Sequence, residues 1–506
     1  MSTNWSEYQQ NVFNFVANGK GSAVISAVAG SGKTTTIVEA AKRIPRNKSV
    51  LFLAFNKSIA TELSQRLSSY RNITCLTLHS HGFKAIMRGL GSKVNVNNGK
   101  YFTYVLNNVE ALSSIISCDT DDTIKVKFVY NVVSLIDKCR INLIKSDDKQ
   151  AIENLAFHHS IELIADEIEV VSTILESAYN LKLGEKIDFT DMLSLACTKF
   201  KRYVNKYDFV FIDECQDLSK AQRELMLLSL SANGRFIAVG DRKQAINGFA
   251  GAGCDSFDLL SDLANNNELP LSVNYRCGKD IIKLAQEIVP QITAFEGANN
   301  GKVINVDNLQ DVQPNDMILC RKAAPLARLC LKMLANGITA KVKGKDIGEG
   351  LIRLIEKLTP KNINSLYNKL DDELTKTKDA CIKHGIKNVD NCTRVVSFID
   401  KIECIKAFAE SAKGIADLKR KIEFAFSDEQ MKNAVCLSTI HKSKGLESDR
   451  VFIICPDKLP LTWENQQEWE FEQETNLKYV AITRAKKELY FVNLSEKKLT
   501  NYDFKK

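Results

Sequence analysis

Proline is scarce in this chain, at 8 of 506 residues, which argues against long extended linkers and against a disordered chain. No apolar run reaches the ~18 residues that a membrane-spanning helix needs, so none is expected. The N-terminal stretch MSTNWSEYQQ is polar and lacks the apolar core of a secretion signal. These absences predict a soluble, intracellular, non-secreted protein. Cysteine is not scarce, at 14 residues, but no CxxC pair and no metal-ligand spacing occurs. The cysteines sit in apolar segments such as LACTKF and CLSTI, and read as reduced, buried, small hydrophobes. No charge of one sign dominates: 69 Lys and Arg against 61 Asp and Glu give a net charge of +8. That permits a nucleic-acid partner without requiring one.

What remains is ordinary globular material, 44% hydrophobic and 26% charged. At roughly 100–200 residues per domain, three or four domains fit. Two kinds of territory alternate. One consists of short β-rich runs that end in loops: SAVISAVAG, SVLFLAFN, YDFVFIDE, GRFIAVGD, DMILCRK, AVCLSTIH, DRVFIICP and KELYFVNL. Each is apolar on both faces, as parallel strands covered by helices must be. The other is helical, over about 82–185 and about 349–430. The expected fold class is α/β, with two parallel-sheet cores each carrying a helical insertion. The expected boundaries are 1–81 with 186–262 for the first core and 82–185 for its insertion. For the second core they are 263–348 with 431–506, and 349–430 for its smaller insertion.

The sharpest signal is ISAVAGSGKTTTIVEAAKRIP, residues 25–45. A strand runs into a glycine-rich turn and then a helix that stops at Pro45. Backbone N–H groups of Ala29, Gly30, Ser31, Gly32 and Thr35 are placed to converge on a phosphate chain at the helix N-terminus. Lys33 would reach the β- and γ-phosphates and Thr34 would bind Mg²⁺. Ala27 stands where the usual pattern begins with Gly. A phosphate loop needs carboxylates delivered to the same sheet edge. DFVFIDE supplies them: Asp213 for the metal, and Glu214 to orient and deprotonate the attacking water.

These two segments define a nucleotide hydrolase without defining its task. Further segments follow in order: GDRKQAINGFAGA, LSVNYRC, LSTIHKSKGLESDRVFII and YVAITRAKKELY. The ordered set, from Gln9 to about Leu489, resembles the UvrD/Rep/PcrA group of superfamily 1A DNA helicases. AFNKSIA and TLHSHGF look closest to the branch that holds the F-box DNA helicases and small phage-type relatives. The resemblance implies two RecA-like cores with ATP in the cleft between them, and ATP and Mg²⁺ as cofactors. It implies that Gln9 reads adenine, with Gln10 the alternative register, that Tyr275 stacks on the base and that Glu447 contacts the ribose. Gln216 and Gln244 are implied as γ-phosphate sensors, Arg276 and Arg484 as arginine fingers, and Asp217 as support. The strand-contacting set is Phe55, His79 and Phe249 for stacking, with Asn56, Thr77, Thr439 and His441 near the backbone.

The implied activity is ATP-dependent 3′→5′ translocation on single-stranded DNA with duplex separation, in DNA replication or DNA repair. The implied partners are single-stranded DNA and single-strand/duplex junctions, with replication, repair or defence proteins beside them, for a monomer in the cytoplasm or nucleoid of a bacterial or phage-infected cell. Two alternatives stay open: a single-strand translocase that displaces bound proteins, and a nucleotide-gated component of a larger complex. Two departures from the family pattern stand out. After Gln244 the family has Tyr, an aromatic and Arg, where this chain reads Asn247, Phe249 and Ala250. The insertion at about 349–430 is also much smaller than in the large bacterial relatives.

Overall fold

The computed structural model describes residues 5–502 apart from 160, 162, 164, 180–185, 247–255, 384–388, 392, 427–432, 464–465, 467, 496–497 and 500–501. The chain divides into two compact units, Met1–Val273 and Asn274–Lys506.

The strands of the first unit are β1 (Ala23–Ala27), β2 (Val50–Ala54), β3 (Ile73–Thr77), the two-residue β4 (Asn95–Val96) and β5 (Lys186–Ile187), then β6 (Tyr207–Ile212), β7 (Leu230–Gly240) and β8 (Glu268–Leu271). Six of them form one parallel sheet in the order β3-β2-β6-β7-β1-β8, while β4 and β5 pair separately. Helices bury both faces, so Phe52 and Phe211 stack inside at 4.8 Å between ring centroids. β6 and β1 flank β7, so the segments that follow all three strands leave the same carboxyl edge. That edge is where ligands gather in open parallel sheets.

The helical stretch expected over 82–185 begins earlier, with a helix at Leu78–Leu90 capped by Thr77. Helices Lys100–Leu112, Asp122–Ile141, Lys149–His158 and Glu167–Tyr179 follow and share their own core around Phe128, Leu135 and Ile174. They are tied to the sheet's helices by a buried polar hub. The fully buried Arg140 donates to both oxygens of Asp188, at 2.7 and 2.8 Å, and to Asp191 at 2.7 Å. Asp191 also accepts from Lys100 Nζ at 2.8 Å and Tyr101 OH at 2.9 Å. Burial pushes the Asp191 carboxyl up, and the Arg140 and Lys100 charges outweigh it, so the group lies below its ordinary range. Both aspartates cap and open the helix Phe189–Cys197.

The short β9 (Val273–Asn274) pairs with β10 (Thr293–Ala294). The second sheet is built from β11 (Lys302–Val306), β12 (Met317–Cys320), β13 (Ala340–Lys343), β14 (Val435–Thr439), β15 (Ser448–Ile454) and β16 (Ala485–Val492). Its order is β11-β16-β15-β12-β14-β13, again all parallel. The expected start of the second core at 263 needs correction. Glu268–Leu271 pairs with β1, so the first unit runs on to Val273. Pro270 disguised this strand, and it is tolerated because β8 is an edge.

Helices Lys345–Leu358, Ile363–Lys383, Thr393–Ala409 and Ile415–Ala425 form the second insertion. One of them completes an element of the core. The helix Ala323–Ala335 follows β12, and the side chain of its N-cap residue, Lys322, makes no capping bond to it. Asp400, on the inserted helix, accepts instead from the N–H groups of Ala323 at 2.8 Å and Ala324 at 3.1 Å.

Candidate nucleotide site and its surroundings

β1 ends at Ala27, and the helix Lys33–Ala41 starts six residues later. The turn between them needs two left-handed residues, which Gly30 (φ 65°) and Gly32 (φ 75°) supply without a side-chain clash. Ser31 lies in this turn, and its Oγ is buried without a hydrogen-bond partner. An orphaned hydroxyl in a glycine turn at a helix N-terminus fits a phosphate-binding cradle.

Asp213 and Glu214 lie beside this turn. Thr34 Oγ1 donates to Asp213 Oδ2 at 2.6 Å. Lys33 Nζ lies 3.7 Å from Glu214 Oε1. Glu214 takes a left-handed backbone, φ 53°, which turns the chain sharply after the strand. Its own N–H donates to Asp213 Oδ1 at 2.9 Å. Burial, then the neighbouring Glu214 charge, push the Asp213 carboxyl up to about 6. A carboxylate in that state favours a divalent cation as counter-charge. The oxygen pair Thr34–Asp213 is the hard donor set that Mg²⁺ takes.

Gln216 extends the cluster. Its Nε2 donates to Glu214 Oε2 at 2.6 Å and its Oε1 accepts from the Asp241 N–H at 3.1 Å. Gln244 Nε2 donates to Asp241 Oδ2 at 2.8 Å. The two predicted sensor glutamines are therefore joined through one residue, Asp241. Sequence reasoning missed Asp241, which is buried and whose carboxyl is raised by burial. Its only signal was GD at the end of an apolar run. The bridge requires glycine at 240, where a Cβ would fall 2.4 Å from Gln216 Oε1. Asp217 Oδ2 lies 3.4 Å from Gln216 Nε2.

Gln9 is buried beside the same loop, and its Nε2 donates to Thr36 Oγ1 at 3.0 Å. Gln10 instead is exposed and donates to the Trp5 carbonyl.

The predicted strand-contacting residues of the first unit also gather at the carboxyl edge. Ala54 and Thr77 are register partners on β2 and β3, so Phe55, Asn56, Thr77 and His79 leave adjacent strands. Phe55 is 51% exposed. Asn56 and Thr77 serve as N-caps, accepting from Ile59 and Ser80 N–H at 2.9 and 3.1 Å. His79 meets Phe189 edge-on at 5.9 Å, and burial lowers its pKa. Phe189, 52% exposed, was not singled out from sequence. Its clue was a large apolar residue between two capping aspartates. Phe249 lies outside the described residues.

In the second unit Tyr275 is exposed, with Phe295 at 5.3 Å. Arg276 Nε lies 2.6 Å from Glu447 Oε2, and Lys486 Nζ lies 2.8 Å from Glu447 Oε1. Burial opposes ionisation of Glu447, but the Lys486 hydrogen bond and the Arg276 charge hold its pKa below the usual range. Arg484 is fully buried. It donates to the carbonyls of Val480 at 2.9 Å and Leu446 at 3.1 Å, and to Thr483 Oγ1 at 3.3 Å. Thr439 Oγ1 accepts from the Lys442 N–H at 3.4 Å. Burial, then the Arg321 and Lys442 charges, hold His441 well below the ordinary histidine pKa.

Comparison with known proteins matches residues 6–265 to the UvrD/REP helicase N-terminal domain and residues 338–496 to the UvrD-like helicase C-terminal domain. The chain is 24% identical to a probable DNA helicase II homolog of Mycoplasma pneumoniae, over 95% of this chain and 83% of that one. It is 26% identical to F-box DNA helicase 1 of Gallus gallus, over 95% of this chain and 48% of that one. Its similarity to the ATP-dependent DNA helicase PcrA of Staphylococcus aureus, at 26% identity, covers 53% of this chain and 38% of PcrA. Among the described residues no helix is long and apolar enough to cross a membrane.

Proposed function

The chain belongs to the UvrD/REP helicase family, and from that premise we propose that it is an ATP-driven DNA helicase that moves 3′→5′ on single-stranded DNA and separates the duplex. The observation that carries this reading is the continuous polar chain Lys33–Glu214–Gln216–Asp241–Gln244 along one sheet edge. A hydrolase needs its base and its phosphate-binding lysine together. A motor needs, in addition, a route from the base to the surface where the strand lies. Gln216 provides the first link of that route and Asp241 the second.

In this reading ATP is the substrate and its phosphates lie on the turn 29–35. Lys33 faces the β- and γ-phosphates as a cation. Glu214 orients a water molecule and takes its proton as the oxygen attacks phosphorus, while the β–γ bridging oxygen leaves with its electron pair. Thr34 and Asp213 would hold Mg²⁺, which would supply counter-charge to the phosphate oxygens. Gln9 addresses the adenine edge. The family resemblance assigns Arg276 and Arg484 to phosphate oxygens, which a guanidinium meets with two donors. Phe55, His79 and Phe189 offer faces on which bases stack without sequence preference.

The 3′→5′ direction rests on the family resemblance. Two assays with the purified chain test the proposal. ATP turnover should rise strongly with single-stranded DNA and little with RNA of equal length. Duplexes with a 3′ single-stranded tail should be unwound and those with a 5′ tail left intact; the reverse preference sinks the assigned polarity. Stimulation with protein displacement but no strand separation would move the assignment to a translocase.

A further inference from the structure

Arg276 and Arg484 belong to one closed ring of contacts in the second unit. Arg484 Nη1 donates to the Leu446 carbonyl at 3.1 Å, and the Arg484 carbonyl accepts from the Ser448 N–H at 3.1 Å. Glu447 lies between these two residues, so its backbone is braced on both sides by a fully buried arginine. From that anchor Glu447 Oε2 reaches Arg276 Nε at 2.6 Å. Arg276 Nη1 closes the ring on the Thr483 carbonyl at 3.4 Å. The buried Asn274 accepts from the Arg276 N–H at 2.8 Å, which fixes the backbone there and leaves the side-chain torsions open. The Thr483 contact is neutral and long, so the charged restraint on the guanidinium is Glu447. Lys486 Nζ lies 2.8 Å from Glu447 Oε1. With this second cation present, the carboxylate restrains Arg276 without cancelling the positive charge of the cluster.

We propose that Glu447 is a positioning residue for Arg276: it holds the guanidinium in one orientation for the nucleotide's phosphates, and it acts there rather than on the ribose. This rests on the proposed phosphate-directed role of Arg276. A guanidinium carries N–H donors on all three nitrogens. Here Nε faces Glu447 and Nη1 faces Thr483, while Nη2 takes part in neither contact. A fork held in place beforehand loses little rotamer freedom when it meets a phosphate oxygen. Without Glu447 the same side chain samples its open torsions and meets the phosphate only part of the time.

The test measures hydrolysis of ATP, 2′-deoxyATP and 3′-deoxyATP by the full chain with saturating single-stranded DNA. Glu447→Ala should lower kcat about 10-fold or more, a small part of what a phosphate-directed arginine contributes, with KM little changed. The factor should be the same for all three nucleotides. A ribose contact gives the opposite pattern: the loss appears with ATP, chiefly in KM, and shrinks for the analogue that lacks the contacted hydroxyl. Glu447→Gln keeps an oxygen for Nε but no charge. It should fall between wild type and Glu447→Ala, and it carries the same comparison if the alanine variant does not fold. Arg276→Ala removes the target. In that background, with enzyme in excess, Glu447→Ala should change the rate by less than about 2-fold. A full second loss there, an unchanged or raised kcat in Glu447→Ala alone, or a loss confined to ATP overturns the proposal. If Arg276→Ala itself leaves hydrolysis intact, the phosphate role of Arg276 fails; if it lowers kcat while Glu447→Ala does not, only the positioning role of Glu447 fails.

Discussion

Acidification should weaken the first unit through one buried imidazole, His81. It sits on the helix Leu78–Leu90, and its Nε2 lies 2.8 Å from Ser229 Oγ. Ser229 donates its own proton to the Leu225 carbonyl at 2.7 Å, so His81 must be the donor and its Nε2 carries hydrogen. Burial, then the Arg88 and Lys84 charges, lower its pKa from 6.5 to about 4. The sign follows from proton uptake. Between pH 6.5 and pH 4 the unfolded chain holds a proton on this residue and the folded chain does not. Stability from the neutral imidazole is thus full above pH 6.5 and is lost as pH falls toward 4. At pH 5 the loss is about 2 kcal/mol, from 1.5 pH units at roughly 1.4 kcal/mol each. The assay is urea unfolding of wild type and His81→Gln at pH 7, 6 and 5. The variant should be less stable at pH 7 but lose about 2 kcal/mol less than wild type on going to pH 5. Equal losses in the two proteins would show that His81 does not titrate in this way.

Three further outcomes are expected. Lys33→Ala should abolish ATP turnover while the circular dichroism spectrum stays that of wild type; retained turnover refutes the phosphate-loop assignment. Asp191→Ala leaves Lys100 without its carboxylate in the interior and takes one of two buried carboxylates from Arg140, which keeps Asp188. It should cost about 3 kcal/mol, read as a lower unfolding midpoint, and a change below about 1 kcal/mol would mean that the hub relaxes around its loss. Arg484→Ala should cut turnover by ~10³-fold or more and also lower the melting temperature of the second unit, since the Val480 and Leu446 carbonyls lose their donor. Unchanged turnover dismisses it as a finger.

Much of the candidate nucleotide site was legible because it is written in contiguous stretches. A strand, two glycines, a lysine and a threonine occupy consecutive positions, and DFVFIDE announces a buried strand that ends in charge. The eight apolar runs all became strands. What escaped depends on neighbours distant in sequence. Asp241 matters because sheet order sets β7 between β6 and β1, which no spacing rule encodes. Phe189 matters because its helix brings it to His79, more than a hundred residues away. Four strands of the two sheets were missed: β3, β8, β11 and β13. β8 is short, on an edge and carries Pro270, while β11 exposes Lys302, Val303 and Asn305, so neither reads as a buried apolar run. Burial of Arg484 was also hidden, since TRAKK looks like a solvated basic run until the fold closes over its arginine.

Asp400 makes the second helical insertion more than an appendage. The helix Ala323–Ala335 has no cap of its own, so the inserted segment holds a piece of the core's wiring. A shortened chain that splices Lys343 to the start of β14 would remove the carboxylate that accepts from the Ala323 and Ala324 N–H groups. The same holds for a chimera that grafts a larger insertion from a relative at this point: it must bring a carboxylate to the same spot. An insertion that carries an acceptor at this helix end keeps the cap, worth about 1 kcal/mol, and one that lacks it loses that contribution whatever its length.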